Sequence, residues 1–402
     1  MTSLNETPKG MRVAIAFLGR RNAGKSSVLN ALVGYELAIV SDIAGTTTDP
    51  VMKNVEINPL GPCVVIDTAG IDDVGELGEK RRGKTQEVIK DADVGLIIIG
   101  DGKWTAFEEE ILTVMQAKAK PVIIVLNKTD CCSAGEAIDA VKERGLNHVM
   151  TSAATGEGIK ELKEKIRALK NVPGLESPSL VGDLIKAGDF VLLVVPIDLG
   201  APKGRLILPQ VQTIRDILDN QAMALVVKET ELTRSLNKLA EPPALVITDS
   251  QVVHQVAQAV PETVPLTTFS TIFSRFKGDL GQLTAGVKAI DKLEDGDKIL
   301  IAEACTHHAM SDDIGRVKIP RWMENYTGKK LRFVVAAGPS FPDDIDQYRL
   351  VLQCGGCTIS RNAYLNRLEK AAQKGVPITN YGVAISYMQG VLARIIRPFP
   401  EL

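Results

Sequence analysis

Short apolar runs alternate with amphipathic stretches along most of this chain. The first runs lie at 12–18, 63–66, 94–99 and 121–126. Stretches at 27–33, 108–119 and 159–169 place apolar residues at helical spacing. Continuous apolar runs fit strands buried on both faces. Their alternation with helices predicts a mostly parallel sheet covered on both sides. A proline- and serine-rich segment, 171–179, reads as a linker. Strand patterns then recur at 190–196, 222–227 and 244–247, with helices at 210–218, 231–239 and 251–259. After a second break at 261–265 come strands at 298–302, 331–336 and 350–353, with helices at 281–291 and 361–373. The expectation is three α/β domains, at 1–172, 180–261 and 262–402.

The loop after the first strand carries the first chemistry. Gly19-Arg20-Arg21-Asn22-Ala23-Gly24-Lys25-Ser26 fits G-x-x-x-x-G-K-S between a strand and a helix. Its glycines let backbone N–H groups wrap phosphate oxygens, and the helix N-terminus adds a favourable dipole. Asn22, Ala23, Gly24, Lys25, Ser26 and Ser27 are the expected phosphate-side residues. Lys25 should meet the β- and γ-phosphates, and Ser26 should ligate Mg²⁺. Asp67-Thr68-Ala69-Gly70 closes another strand; Asp67 can hold Mg²⁺ through water, and the Gly70 N–H can sense the γ-phosphate. Asn127-Lys128-Thr129-Asp130 closes a third. The Asp130 carboxylate can accept from N1–H and the 2-amino group of guanine, donors that adenine lacks. Ser152 and Ala153 can close over the base. GTP is therefore favoured over ATP. In Gly45-Thr46-Thr47-Thr48-Asp49, Thr47 is the expected second Mg²⁺ hydroxyl. Lys25, Thr47 and Gly70 are the expected catalytic set.

These motifs resemble the translation-factor-related GTPases of the TrmE–Era–EngA type, with a Ras-like P-loop domain. Ile71 stands where Ras-like enzymes carry a water-positioning glutamine, so catalytic help must come from elsewhere. The resemblance implies that Asn22 helps bind K⁺ at the place of an arginine finger.

Composition narrows the rest. Of 402 residues, 45% are hydrophobic and 24% charged, with 47 basic residues against 49 acidic. That balance is ordinary for globular protein, and without a basic block it offers no nucleic-acid footprint. The polar start lacks the apolar core of a secretory signal, and no apolar run approaches the ~20 residues of a membrane span. A cytoplasmic protein with no membrane partner is expected.

The six cysteines are too few for a disulfide scaffold. Cys305-Thr306-His307 and Cys354-Gly355-Gly356-Cys357 each begin just past a predicted strand, where ligands gather in open α/β sheets. Three thiolates with His307 and His308 nearby suit either a closed Cys₃His zinc site or a 4Fe-4S cluster with one open iron. Redox dithiol chemistry is a third option. Cys63, Cys131 and Cys132 read as structural or incidental.

With both halves in view, the whole chain resembles the maturation GTPase family of FeFe-hydrogenase, HydF. The carriers are Cys305-Thr306-His307, the long spacer, Cys354-Gly355-Gly356-Cys357 and this GTPase type. Gln353 departs from the histidine that the family signature often has before the second motif. The resemblance implies a scaffold or carrier holding a 4Fe-4S cluster on Cys305, Cys354 and Cys357, with His307 functional. His307, His308, Asp312 and Asp313 are the alternatives for a fourth ligand. It further implies a transient two-iron subcluster precursor, made with radical-SAM maturases and handed to apo FeFe-hydrogenase, and a middle domain that makes a homodimer. Two other readings compete: a zinc-stabilised GTPase switch, and an RNA-modification or ribosome-assembly GTPase.

Overall fold

The computed structural model describes residues 12–34, 51–67, 88–89, 92–133, 135–170, 179–197, 206–304, 313–338, 341–356 and 359–400. The chain divides into two compact units, Asn5–Ser177 and Pro178–Leu402.

The first unit runs β1 (Val13–Leu18), α1 (Lys25–Val33), β2 (Val51–Ile57), β3 (Gly61–Asp67), β4 (Val94–Ile99), α2 (Ala106–Ala117), β5 (Val122–Leu126), α3 (Gly135–Glu143), β6 (His148–Met150) and α4 (Ile159–Lys170). Its sheet has the order β2-β3-β1-β4-β5-β6. Every neighbouring pair is parallel except β2 with β3. The side-chain period of two is visible in β1. Ile15 and Phe17 join the core on one face, and Ala14, Ala16 and Leu18 join the core on the other. The sheet is thus buried on both faces, as its continuous apolar runs predict. Helix α2 starts at Ala106 and not at 108, because Thr105 and Glu108 form a reciprocal capping box.

Two strands of this first unit escaped the sequence reading for different reasons. In β2, Val55 and Ile57 are buried while Glu56 is exposed, the alternation of a half-buried edge strand. β6 is only three residues long, too short to show a period.

The second unit holds two parallel sheets. It continues β7 (Phe190–Val194), α5 (Leu208–Asp219), β8 (Met223–Val227), α6 (Leu232–Leu236), β9 (Leu245–Thr248), α7 (Val253–Ala259), β10 (Leu266–Thr268), α8 (Phe269–Lys277) and α9 (Leu280–Val287). Then come β11 (Lys298–Glu303), α10 (Ile319–Thr327), β12 (Arg332–Ala337), β13 (Leu350–Gln353), α11 (Arg361–Gln373), β14 (Ile378–Asn380), α12 (Tyr381–Met388) and α13 (Leu392–Ile396). The sheet orders are β10-β9-β7-β8 and β12-β11-β13-β14.

The break at 261–265 is not a domain boundary. It joins α7 to β10, and β10 pairs in parallel with β9 through Leu266↔Val246. The expected division at 261/262 therefore cuts the second sheet. Its proline content marks an ordinary loop. A single hydrophobic core also joins the two sheets, including Leu193 and Ile247 of the second, Leu300 and Leu352 of the third, and Phe269, Ile272, Phe273 and Phe276 of α8.

The edges are less covered. Met223 and Val226 on β8 are exposed, as are Val334 and Val335 on β12. Open apolar edge strands are ready templates for pairing with another chain. No helix among the described residues is long and apolar enough to cross a membrane.

Candidate functional site

The phosphate loop sits where β1 gives way to α1. Gly19 and Gly24 both have positive φ, 149° and 92°. A Cβ on Gly24 would come within 2.3 Å of Asn127 Nδ2, and one on Gly19 within 2.4 Å of the Ile98 carbonyl oxygen. These are positions where backbone must approach closely and a side chain cannot fit. Helix α1 has no side-chain cap and no acid in its first turn, which leaves its N-terminus suited to an anion. Lys25 Nζ donates to the Gly19 and Arg20 carbonyls at 2.7 and 2.9 Å, so its ammonium already lies over the loop. Asn22 is exposed with φ 61°, while Ala23 is buried. Ser26 is half-buried and Ser27 exposed on the first turn of α1.

Asn127 ties this loop to the base-side loops. Its Nδ2 donates to the Ala23 carbonyl at 3.1 Å, and its Oδ1 accepts from the Thr151 hydroxyl and the Ala153 N–H at 3.2 and 3.1 Å. Lys128 takes a positive φ of 66°, and a Cβ on Gly24 would lie 3.9 Å from its Cε. Lys128 thus runs beside the phosphate loop. Ser152 donates to Asp130 Oδ1 at 2.6 Å, and this bond leads the causes holding the Asp130 carboxyl below its ordinary value. The carboxylate is thereby kept ionised and aimed, as guanine recognition needs. The two thiols after it, Cys131 and Cys132, lie 3.6 Å apart at the surface.

The structure thus brings together Asn22, Ala23, Gly24, Lys25, Ser26, Ser27, Asn127, Lys128, Asp130, Ser152 and Ala153. Asp67 ends β3 in register with Phe17 of β1, which puts its backbone beside the loop; its side chain is outside the described residues. Thr47, Gly70 and Ile71 also lie outside them.

Sequence reasoning missed Arg20. Its guanidinium pairs with both oxygens of Asp101 at 2.9 and 2.7 Å, with the fully buried Glu108 at 2.9 Å, and with the Lys103 carbonyl at 2.9 Å. Partial burial pushes Asp101 up, yet the Arg20 pair outweighs it and the carboxyl ends below its ordinary value. Arg20 therefore braces the phosphate loop against α2. A charged residue inside a phosphate loop was the available signal, but its partners are far away in sequence.

The second site lies at the carboxyl ends of β11 and β13. Their register pairs Ala302 with Gln353, which brings the residues after them together. The Ala304 N–H donates to Cys354 Sγ at 3.2 Å, and the Cys354 N–H donates to the Ala302 carbonyl at 3.0 Å. Ala304 is the residue before Cys305. Cys354 is half-buried. Among the described residues nothing lies within 4 Å of where a Cβ on Gly355 would project, and Gly356 turns the loop with φ 61°. Cys305, His307, His308, Asp312 and Cys357 are outside the described residues. Among the described residues, no group of three or more metal-binding side chains comes together.

Beneath Cys354 the polar groups are unusual. Gln353 is fully buried. Its amide approaches the Tyr364 hydroxyl, but neither its oxygen nor its nitrogen meets a partner at hydrogen-bonding geometry. The Tyr381 hydroxyl is likewise buried without a described partner. Burial, the Cys354 charge and nearby carboxylates push that phenol well above its ordinary value. Asp313 is engaged locally, its Oδ1 accepting from the Arg316 N–H at 2.8 Å. Glu303, at the end of β11, is buried and held by the Arg316 guanidinium, with contacts from 2.5 to 3.2 Å. A half-buried thiol with an N–H already aimed at its sulfur, followed by two glycines, fits a metal–sulfur group.

Family profiles match all three parts of the chain. Residues 14–128 match the 50S ribosome-binding GTPase profile. Residues 180–278 match the Hydrogen maturase F dimerization domain, and residues 281–398 its tetramerization domain. The last two are specific to one family, and together they cover more than half of the sequence. The chain belongs to the hydrogen maturase F (HydF) family. Its first unit is a P-loop GTPase domain of the TrmE–Era–EngA type. The HydF dimerization domain ends with α8, in agreement with the sheet topology.

The curated relatives that follow each match about two fifths of the chain. The tRNA modification GTPase MnmE of Yersinia pseudotuberculosis serotype O:1b (strain IP 31758) is 39% identical over 168 residues, 40% of this chain and 35% of the relative. The MnmE of Paraburkholderia xenovorans (strain LB400) is 40% identical over 162 residues, 39% of this chain and 34% of the relative. The chain spans about a third of the length of the curated relatives it matches. Among solved structures, Aquifex aeolicus Era bound to GDP·AlF4⁻ is 24% identical with a TM-score of 0.34, covering 54% of this chain and 93% of that one. The G domain of the Thermotoga maritima FeoB iron transporter is 25% identical with a TM-score of 0.32, covering 40% and 99%.

Proposed function

We propose that this chain is a GTP-hydrolysing scaffold. It binds a 4Fe-4S cluster, assembles the two-iron subcluster precursor beside it, and delivers that precursor to apo FeFe-hydrogenase. The observation that carries the reading is the pairing of HydF-specific domains with Cys354 poised next to the backbone that leads into Cys305. Radical-SAM maturases are the partners that would supply the precursor.

On the nucleotide side, the α1 N-terminus and Lys25 hold the phosphates, and Asp130 selects guanine. Ser26, Thr47 and Asp67 would hold Mg²⁺. Asn22 would help hold K⁺, which offsets charge on the bridging oxygens where Ile71 offers nothing to orient water. Lys25, Thr47 and the Gly70 N–H then stabilise charge on the transferred phosphoryl group.

On the cluster side, Cys305, Cys354 and Cys357 are the ligands, with His307 close by. Gln353 is a poor iron ligand, and its place inside the core suits a packing role. When bound, such a cluster supplies an iron open to an exchangeable bridging ligand. The protein's part is to keep that corner accessible, through the open side of Gly355, while the Ala304 N–H steadies the Cys354 sulfur. The β8 and β12 edges, with their exposed valines and methionine, are the surfaces for self-association, in line with the dimerization and tetramerization domains that contain them.

Complementation tests the reading. Anaerobically reconstituted protein loaded by the radical-SAM maturases should activate apo FeFe-hydrogenase, and a Cys354→Ala variant should not. Activation by the variant at the wild-type level would remove Cys354 from the cluster.

A further inference from the structure

The guanine loop ends in two adjacent thiols. Cys131 is exposed and Cys132 half-buried, and their sulfurs lie 3.6 Å apart. Both belong to the turn that presents Asp130. The Cys131 and Cys132 N–H groups donate to one acceptor, the Lys128 carbonyl, at 3.1 and 2.8 Å. The Cys131 thiol approaches the same carbonyl at 3.7 Å. Lys128 itself takes a positive φ of 66°, and the Thr129 N–H donates to the Thr151 carbonyl at 3.2 Å. The turn is thus fixed on both sides of Asp130.

The Cys131 thiol also acts on Asp130 directly. After the Ser152 hydroxyl and the local backbone, it is a further donor that holds the carboxyl below its ordinary value. Contact with Cys132 leads the causes that push the Cys131 thiol up, and the Asp130 charge adds to it. Cys131 therefore keeps a proton to donate at neutral pH.

Two accessible thiols at this distance can be joined. A disulfide needs its sulfurs about 2 Å apart. It also prefers Cα atoms at least ~4.4 Å apart, whereas neighbouring residues sit about 3.8 Å apart. Closing the pair therefore twists the backbone between them. The Lys128 carbonyl cannot keep both N–H donors through that twist, and the Cys131 sulfur no longer carries a proton for Asp130. A bond under such strain is readily reduced, which suits a reversible modification and not a structural tie.

We propose that Cys131 and Cys132 form a modification site for low-molecular-weight disulfides, and that closing it displaces Asp130 and weakens guanine-nucleotide binding. One protein thiol loses its proton to water, attacks the small disulfide and expels one small thiolate. The second protein thiol does the same to the mixed disulfide and expels the other. One S–S bond breaks and one forms. The protein thiols give up two electrons, and the small disulfide takes them and leaves as two thiols. A trivalent aryl arsenoxide closes the same pair with no electron transfer: its oxygen leaves as water with the two thiol protons, and two As–S bonds form. The proposal rests on the reading of Asp130 as the guanine-selecting residue.

The test uses the full-length protein, first reduced, then treated with dithiodipyridine or with phenylarsine oxide and freed of excess reagent. Isothermal titration reads GTP affinity, and peptide mapping reads the link between Cys131 and Cys132. Closure by either reagent should weaken GTP binding by roughly tenfold or more, and dithiothreitol should restore it. Cys132→Ser leaves the Cys131 donor and Asp130 in place. Its GTP affinity should match that of untreated wild type before and after phenylarsine oxide, which needs two thiols. If this variant does not fold, Cys132→Ala decides. Unchanged GTP affinity in wild type whose link is mapped overturns the proposal. So does failure of the pair to close, or an equal loss in the Cys132 variant. Failure of the parent reading looks different, because reduced, untreated wild type would then bind GTP no more tightly than ATP.

Discussion

The phosphate loop and the cysteine loop occupy the same kind of place, the carboxyl ends of parallel strands, yet they are built in opposite ways. The phosphate loop carries its own cation and its own helix N-terminus within a few residues: Gly24, Lys25 and the start of α1 are consecutive. The cysteine loop borrows. Its sulfur accepts from Ala304 on the neighbouring strand's exit, its carbonyl is held by Lys277, and its ring wall is Tyr364. A phosphate grip works with local backbone, so a short motif specifies it almost completely. The metal–sulfur cradle proposed for this loop would have to manage negative charge, and groups from several elements already meet there.

The contrast predicts separable losses. The largest effect is a paired one. Cys354→Ala should abolish the iron–sulfur signal while leaving GTP affinity within about twofold, since the two sites lie in separate compact units and share no described partner. Lys25→Ala should weaken GTP binding by roughly a hundredfold, through loss of charge-assisted phosphate bonds, with iron content unchanged. Isothermal titration and iron analysis on both variants check this. Loss of both functions in either variant would break the comparison.

The next effect sharpens the nucleotide side. Asp130→Asn replaces a carboxylate with an amide facing two guanine donors. GTP affinity should fall by roughly a hundredfold, and xanthosine triphosphate, whose 2-oxo group accepts from the new amide, should recover part of it. Competition binding with the two nucleotides measures the switch. Hydrolysis should run several-fold faster in KCl than in NaCl, with the difference removed in Asn22→Ala; equal phosphate release in the two salts would take K⁺ out of the account.

The second unit also exposes apolar side chains on the edge strands of both its sheets. Val226→Lys on β8 and Val334→Lys on β12 place charge on edge strands, a natural block to strand pairing. Each should lower the molar mass seen by light scattering, with stability changed by less than about 1 kcal/mol.

The smallest effect concerns the Arg20 brace. The folded value of Asp101 is depressed, so its contribution is fully present above the unfolded carboxylate value near ~3.9. It is lost as pH falls through the lower folded value. Asp101→Asn should therefore cost about 0.5 kcal/mol near neutral pH, and the gap to wild type should close in acid. Denaturant melts at several pH values read it out.

These cases also mark what could be read from the sequence. The first sheet, the phosphate loop and the guanine motif were legible, because strand burial and nucleotide grip are encoded in neighbouring residues. So were the strands leading to both cysteine motifs. The boundary at 261 was misplaced because a proline-bounded loop looks the same inside a domain as between domains. It takes the pairing of β10 with β9 to tell them apart. Lys277 and Arg20 were invisible for a related reason. A lysine at a helix end and an arginine in a loop are ordinary until partners 79 and 88 residues away appear beside them. Gln353 was legible as a departure, but its burial with an orphaned amide was not.

The central claim is that the cysteine loop of this GTPase carries iron and sulfide. Anaerobic purification, cluster reconstitution and quantitation of metals, with electron paramagnetic resonance of the reduced protein, test it most directly. The account predicts about four irons and about four sulfides per chain, with a paramagnetic signal that Cys354→Ala removes. One zinc per chain, no bound iron and a silent spectrum would contradict it.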